Sequence, residues 1–288
     1  MFMFKKRKKE SVAIPFLISM IITLMIVGIP AAKYYQKMLE RRNDAYNTVT
    51  AQSYKPTEKN DNTILLAANL SISNEAKTKI YPKTVFCILR TSPVKNKFTF
   101  ISVSNDTLCN GQKMSDIYNS GGIIDLKNAV EEVYEIKIDR YLSMKNLGVE
   151  TLCDWLGGVS YEVPHNLKGL NDGVQYLSSE FIVQLIGNPR LTEETRSKIN
   201  VEVLSEMINQ TTGGRVADSL EYTFTTIINC SESNITKIDF DNQQAAINYM
   251  FDSGKFFAEP KMVTGETTKD GFTPDKSSIN SIKKELGL

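Results

Sequence analysis

The sequence has few of the side chains on which most enzymes and metal sites depend. Its 288 residues include one histidine, His165, and one tryptophan, and its formal net charge is only +1. No G-x-S-x-G elbow, P-loop or H-E-x-x-H segment occurs, and one histidine leaves no room for a His-rich metal site. His165 follows Pro164 and is expected in a surface loop. These absences exclude the common hydrolase and metal-enzyme signatures, and the near-neutral charge gives no electrostatic case for nucleic acid as a partner.

Cysteine is also scarce. The four cysteines, Cys87, Cys109, Cys153 and Cys230, are widely spaced and match no metal-binding pattern. Their even number allows one or two disulfides. Cys87 and Cys153 lie in apolar contexts typical of buried thiols.

Charge is absent from one long run, Ser11 to Ala32. As a helix these residues span about 33 Å, enough to cross a bilayer core of about 30 Å. The first ten residues carry five cations and one acid, which favours a cytoplasmic N-terminus. A cleaved signal peptide ending near Pro30-Ala31-Ala32 is the alternative, although the run is longer than a usual signal sequence. The pattern predicts a single-pass membrane protein whose C-terminal part is extracytoplasmic.

The predicted organisation has four parts. Residues 1–10 form a basic cytoplasmic tip, and residues 11–33 form the transmembrane anchor. Residues 34–62 are charged or polar and form a helical stalk or linker. Residues 63–288 form one extracytoplasmic domain without repeats.

Apolar periodicity in this domain predicts strands and helices in turn. Thr63 to Ala68 is typical of a central strand, and two further strands flank a hairpin turn at Ser92 to Lys97. Gly121-Gly122 is interpreted as a turn into a helix. The segments that follow are a strand at 137–144, a helix at 147–156 that Gly157-Gly158 ends, and a strand at 159–163 that Pro164 closes. The alternation predicts an α/β fold with a central mixed sheet flanked by helices.

The same segments carry motifs that resemble the LytR-CpsA-Psr family of bacterial cell-envelope proteins. In that family a GG pair opens a helix, an I-D-x-Y strand follows, and a second helix ends in D-x-LGGV-x-x-x-VP. Here these motifs are Gly121-Gly122, Ile138 to Tyr141, and Asp154 to Pro164. The resemblance extends from Thr63 to a last helix, Ile279 to Leu286, which Gly271 to Asp275 is expected to cap through a proline-aspartate turn.

The resemblance implies a function as well as a fold. Family members are understood to hold a polyprenyl-pyrophosphate glycopolymer, with the lipid in an apolar tunnel and the pyrophosphate bound by arginines and magnesium. They transfer the polymer, as a phosphodiester, onto peptidoglycan or another envelope acceptor. Carboxylates suit magnesium, and guanidinium groups match phosphate oxygens.

The chain departs from the family at the two magnesium aspartates. In the family, the first of these aspartates comes after the first strand, in a G-x-D context. This chain has Ala67-Ala68-Asn69-Leu70 at that place. In the family, the second aspartate lies in an R-x-D-T unit. This chain has Tyr81-Pro82-Lys83-Thr84 there, so a lysine replaces the carboxylate. No cofactor is therefore expected, because the family's magnesium site is not matched.

Most of the family's arginines are also absent. Asn105 replaces the arginine of S-I-P-R-D-T, although Asp106 matches, and Ser179 to Val183 has none of the arginines of Y-x-R-x-R. Arg196 aligns with the first arginine of D-x-x-R-x-x-R-Q, and Ile199-Asn200 replaces the last R-Q.

The remaining candidates for phosphate binding are Arg196, Asp106, Lys83 and Arg140, and no catalytic residue is assigned. Arg196 could instead be a solvated helix residue, and Asp106 could brace the turn before Thr107. Lys83 and Arg140, with Arg190 and Lys198, could form a different cationic site or could simply be scattered surface charges.

Three functions remain open. The first is a membrane-anchored LytR-CpsA-Psr-like protein of cell-wall glycopolymer assembly that binds a polyprenyl-linked ligand with weak or no phosphotransferase activity. The second is an active transferase of that glycopolymer to peptidoglycan, with a site rebuilt around Arg196, Lys83 or Arg140. The third is a non-catalytic scaffold or regulator of envelope enzymes. The implied partners are the membrane and a polyprenyl-linked glycopolymer or peptidoglycan.

Overall fold

A six-stranded mixed sheet is the centre of the fold, in the order β10-β3-β2-β1-β6-β9 when strands are numbered along the chain. The computed structural model describes residues 54–73, 80–167 and 169–288. The strands are β1 (Asn62–Ser73), β2 (Ile80–Ser92), β3 (Lys97–Val103), β4 (Leu108–Cys109), β5 (Gln112–Lys113), β6 (Arg140–Lys145), β7 (Val159–Val163), β8 (Gly173–Leu177), β9 (Ser231–Ser233), β10 (Phe257–Lys261), β11 (Gly265–Thr267) and β12 (Phe272–Pro274). The helices are α1 (Met114–Tyr134), α2 (Asn146–Leu156), α3 (Ser179–Ile186), α4 (Glu193–Gln210), α5 (Gly213–Asn229), α6 (Lys237–Asp252) and α7 (Lys276–Leu286).

The sheet combines a meander with parallel neighbours. β1 runs antiparallel to β2 and β2 antiparallel to β3, and the connection after β2 is the predicted hairpin, tightened by a 3₁₀ turn at Pro93–Lys95. β6 lies parallel to β1, and β10 lies parallel to β3. The sheet is therefore mixed, as the sequence predicts.

Both faces of the sheet are covered by helices because the central strands are apolar on both sides. Leu65 and Ala67 of β1 face a core that includes residues of α1 and α7, whereas Leu66 and Leu70 face a second core built largely on α2 to α5. A strand that is buried on both faces reads as a continuous apolar run, which explains the Thr63 to Ala68 segment. The result is a helix-sheet-helix sandwich, which confirms the predicted α/β class.

The I-D-x-Y motif joins β6 to β1 by two hydrogen bonds. The backbone N–H of Asp139 donates to the carbonyl of Thr63 at 2.9 Å, and the backbone N–H of Thr63 donates to Asp139 Oδ2 at 2.9 Å. Asp139 is therefore a structural residue that sets the start of the parallel pair.

Two local predictions differ from the structure. The Gly121-Gly122 pair lies inside α1, which begins seven residues earlier at Met114, and Gly122 breaks the helix with φ 74° and ψ −163°. A helix does restart after the pair, as predicted, but a helical segment also precedes it. The proline-aspartate segment ahead of the last helix forms β12, paired with β11, and the Asp275 side chain makes no capping bond to α7.

All four cysteines lie in the described ranges and are free thiols. Cys87 and Cys153 are buried, as predicted, and burial raises the pKa of each thiol to about 12. Neither of the disulfides that the sequence allowed forms in this structure.

The predicted basic tip, anchor and most of the stalk fall on residues 1–53, outside the described residues. Within the described ranges, no helix has the length and apolar character needed to cross a membrane. Near the end of the predicted linker, Asp61 accepts hydrogen bonds from Arg90 Nη2 at 2.9 Å and from Ser92 Oγ at 3.0 Å.

Candidate functional site

An open polar pocket of about 500 Å³ lies where β1 and β3 end and β2 begins. In open α/β sheets, ligands bind at the carboxyl ends of the strands, where connecting segments supply the side chains. The pocket therefore occupies the position at which this architecture places a ligand. Its lining residues are Asn69, Leu70, Ser71, Pro82, Lys83, Thr84, Asn105, Asp106, Ser115, Asn119 and Glu193.

Lys83 enters this pocket with its charge already paired. Its Nζ lies 2.7 Å from Glu193 Oε1, and the same carboxylate oxygen accepts a hydrogen bond from Arg196 Nε at 3.2 Å. Glu193 is in the first turn of α4, so the helix places it one turn before Arg196 on the same face. The three residues form a cation-anion-cation row that runs from the pocket into the protein.

Arg196 is the buried end of that row. Its side chain is 1% exposed, and its guanidinium donates to the backbone carbonyls of Ile186, Asn188 and Leu191. A guanidinium so enclosed holds the segment between α3 and α4 in place. Arg196 therefore lies behind the pocket, and its donors are used by the protein.

Asp106 also carries a paired charge. Its Oδ1 accepts a hydrogen bond from Lys113 Nζ at 2.8 Å, and this bond raises the pKa of Lys113. The neighbouring Asn105 is 8% exposed, and its Nδ2 donates to the carbonyl of Thr84 at 2.7 Å. The segment after β3 thus supplies one neutralised carboxylate and one fixed amide.

The buried hydroxyl groups of Tyr118 and Ser143 hold the side chain of Asn69 in place. Its Nδ2 donates to the Tyr118 hydroxyl at 2.7 Å, and that hydroxyl lies 2.7 Å from Ser143 Oγ. Tyr118 and Ser143 are 8% and 7% exposed. The contacts join β1, α1 and β6 and fix the Asn69 amide at the edge of the pocket.

The magnesium ion that the family resemblance implies does not fit these residues. The positions in question are diagonal neighbours, since Asn69 is opposite Thr84 and Leu70 is opposite Lys83 in the β1–β2 ladder. One position now carries an amide and the other an ammonium group, whereas magnesium prefers anionic oxygen ligands. Among the described residues, no group of three or more His, Cys, Asp or Glu side chains could hold a metal ion.

The remaining cationic candidates lie outside the pocket lining. Arg140, at the start of β6, is hydrogen bonded to Asp239 of α6, and Lys198 pairs with Glu202 one turn later on α4. Arg190 donates to the backbone carbonyl of Asn166 at 2.7 Å. Of the four predicted phosphate ligands, the structure brings together Lys83 and Asp106, and it places Arg196 behind them and Arg140 elsewhere.

An apolar cavity adjoins the pocket and shares Leu70 with it. It lies between the sheet and α2, α3 and α4, and its wall includes Val149, Ile182 and Leu204. Its volume is about 40 Å³, enough for about one or two water molecules and far below what a polyprenyl chain needs. The apolar cavity is narrow in this conformation.

Several residues that line or support the pocket could not be identified from the sequence. Tyr118, Ser115 and Asn119 are on α1 ahead of the glycine pair, in a segment that was not predicted to be helical. Lys113 carries no motif, and its role depends on a contact with Asp106 across a turn. The only available signal was the apolar spacing of Met114 and Tyr118, one helical turn apart.

The fold and the pocket define an α/β protein with a candidate ligand pocket where β1 and β3 end. Within that class, the chain belongs to the LytR_cpsA_psr (LytR-CpsA-Psr) family, whose model matches residues 29–188. This match confirms the family resemblance that the motifs carry.

Individual relatives agree with this assignment. The chain is 21% identical, over 96% of both proteins, to the polyisoprenyl-teichoic acid–peptidoglycan teichoic acid transferase TagU of Enterococcus faecalis. A solved structure from Eubacterium siraeum is similar with a TM-score of 0.70 and 22% identity, over 83% of this chain and 95% of that one. B. subtilis TagV is similar with a TM-score of 0.59 and 17% identity, over 80% of this chain and 97% of that one. At these identities the solved structures establish the shared fold alone.

Proposed function

We propose that this chain is a membrane-anchored, extracytoplasmic protein of cell-wall glycopolymer assembly that binds a polyprenyl-linked glycopolymer with weak or no phosphotransferase activity. Family membership and the similarity to a teichoic acid transferase support a role in cell-wall glycopolymer assembly. The charge state of the pocket supports the reduced activity. The uncharged run Ser11 to Ala32 supports the anchor.

The observation that carries this proposal is the pairing of Lys83 with Glu193 at 2.7 Å, in front of the buried Arg196. Phosphoryl transfer depends on cations that stabilise the charge developing on phosphate oxygens. Here the cation in the pocket is compensated by a carboxylate, and the nearby guanidinium bonds to backbone carbonyls. Among the described residues, the pocket therefore offers no unpaired cation to drive the step.

Lipid binding requires the narrow apolar cavity to widen. Its walls are the sheet on one side and α2, α3 and α4 on the other, so admission of a polyprenyl chain requires the helices to move away from the sheet. We expect α3 to move most easily, because it has only eight residues and its Phe181 is already 42% exposed.

The test uses the full-length chain in detergent with a polyprenyl-pyrophosphate-linked glycopolymer and isolated peptidoglycan. We expect the lipid-linked polymer to co-purify with the protein, with or without magnesium, and no polyprenyl phosphate to be released. The Enterococcus faecalis relative serves as the control for transfer. Release of polyprenyl phosphate at the control's rate overturns the proposed loss of activity, and absence of any bound polymer overturns the binding function.

A further inference from the structure

Two amide side chains of the pocket each use their NH₂ group for a hydrogen bond within the protein. Asn69 and Asn105 each donate their Nδ2 to a protein acceptor at 2.7 Å, the Tyr118 hydroxyl and the Thr84 carbonyl respectively. Among the described residues, no hydrogen bond to either Oδ1 is found. Both amides therefore leave a carbonyl oxygen, an acceptor, available at the pocket.

We propose that this pocket recognises a neutral pyranose unit of the glycopolymer, through its hydroxyl groups, and that it does not bind the pyrophosphate. The inference rests on the proposed function, since it names the part of the glycopolymer that the pocket contacts. A phosphate group offers only acceptor oxygens, so it gains nothing from two further acceptors. A sugar hydroxyl can donate to Asn69 Oδ1 or Asn105 Oδ1 and accept from a neighbouring hydroxyl.

The charges around the pocket favour the same class of ligand. Asp106 is paired with Lys113, Lys83 is paired with Glu193, and Arg196 backs Glu193 from the interior. The nearby carboxylate of Asp116, on α1, also raises the pKa of Lys113. With Asp116 included, the acidic side chains around the pocket equal the basic ones in number. Among the described residues, a pyrophosphate would have to displace these pairs to find cationic donors, whereas a neutral sugar leaves them intact.

Size and surface also suit a sugar ring. The volume of about 500 Å³ falls within the usual range of about 300–1,000 Å³ for small-molecule pockets. Ser71, Thr84 and Ser115 add hydroxyl groups that can both donate and accept. The exposed Pro82 supplies apolar surface for the C–H face of the ring.

The orientation of Asn69 depends on Tyr118, which makes Tyr118 a positioning residue. Without the Tyr118 hydroxyl, the amide of Asn69 is free to turn over and present its NH₂ group to the pocket. Tyr118→Phe should therefore weaken sugar binding although Tyr118 itself does not line the pocket.

The experiment applies the full-length chain in detergent to an array of mono- to tetrasaccharides, each present in neutral and phosphorylated form. We expect binding to at least one neutral saccharide, no gain for its phosphorylated form, and no effect of EDTA. Asn69→Ala and Tyr118→Phe should each weaken that binding by about fivefold or more, as expected for one lost hydrogen bond. Asn128→Ala, at an exposed position of α1 outside the pocket, is the matched control and should bind like the wild type.

Binding only to phosphorylated saccharides, binding abolished by EDTA, or no binding to any saccharide each overturns the inference. The proposed function is judged separately by the lipid-linked glycopolymer. A chain that retains that polymer but binds no neutral saccharide disproves only the sugar site, whereas a chain that retains neither disproves both. Thermal unfolding of each variant confirms that a loss of binding is not a loss of folding.

Discussion

Lys83 Nζ lies 2.7 Å from Glu193 Oε1, and the same oxygen accepts from Arg196 Nε at 3.2 Å. One carboxylate therefore serves a cation at the pocket and a cation in the interior. Lys83 has a third of its side chain exposed, whereas Arg196 is 1% exposed. The two cations share a partner, but burial gives them different energetic roles.

Arg196→Met should destabilise the fold far more than Lys83→Met. The arginine substitution removes the donors for three buried carbonyls and leaves Glu193 without its interior partner, which we expect to cost about 3–5 kcal/mol of unfolding free energy. The ion pair of Lys83 with Glu193 is partly solvated and should contribute less than about 1 kcal/mol to the unfolding free energy. Urea denaturation of the full-length variants measures both values, and equal losses would show that Arg196 is not the structural member of the row.

A magnesium response should be obtained by restoring the missing carboxylates. Asn69→Asp combined with Lys83→Asp places two acids on neighbouring strands, close to Asp106, and removes the competing ammonium group. Millimolar magnesium should then raise the midpoint of thermal unfolding by binding the folded state, while the midpoint of the wild type should not change. An equal rise in the wild type would mean that its pocket already holds the ion.

Much of the fold was predictable because its determinants are local in sequence. The alternation of Val159 to Val163, the hairpin at Pro93, and the helix that Gly157 ends each follow from a pattern within a few residues. The double burial of β1 was predictable from its continuous apolar run.

The site was less predictable because its charges are matched through space. The sequence identified Lys83 as a cation in a magnesium position, but nothing in it shows that Glu193, 110 residues later, neutralises that cation. Arg196 aligned with a phosphate ligand of the family, yet its burial depends on carbonyls that only the folded segment between α3 and α4 supplies. Motifs report which residues are present, whereas charge compensation depends on the tertiary structure.

Gly122→Ala should destabilise the protein by about 1–3 kcal/mol, because φ 74° with ψ −163° is a conformation that only glycine adopts without strain. Gly214→Ala is the matched control, because Gly214 lies in α5 without a positive φ and its Cβ would meet nothing within 4 Å outside the helix backbone. We expect Gly214→Ala to change the unfolding free energy by less than about 1 kcal/mol. A larger cost at Gly214 than at Gly122 would contradict the kink in α1.

Lowering the pH should remove the contribution of Asp239 to the free energy of unfolding. Its hydrogen bond from Arg140, with further bonds from Thr236, lowers the pKa of Asp239 below the usual carboxyl range. A lowered pKa in the folded state stabilises the fold above the unfolded pKa of about 3.9, and the stabilisation is lost as the pH falls below it. The gap in unfolding free energy between the wild type and Asp239→Asn should therefore narrow between pH 7 and pH 2. Asp241→Asn, on the exposed side of α6, controls for the change in net charge, and a gap that is constant with pH would contradict the prediction.

Alkylation of the cysteines should report whether the apolar cavity opens. Cys87 and Cys153 line that cavity, and burial raises the pKa of both to about 12, so at pH 8 about one thiol in ten thousand is a thiolate. Iodoacetamide should therefore modify the partly exposed Cys230 well before either of them, as measured by mass spectrometry of the digested full-length chain. Equal rates at Cys87 and Cys230 would mean that the helices already separate from the sheet in solution. In that case a polyprenyl chain could enter without the rearrangement that the narrow cavity demands.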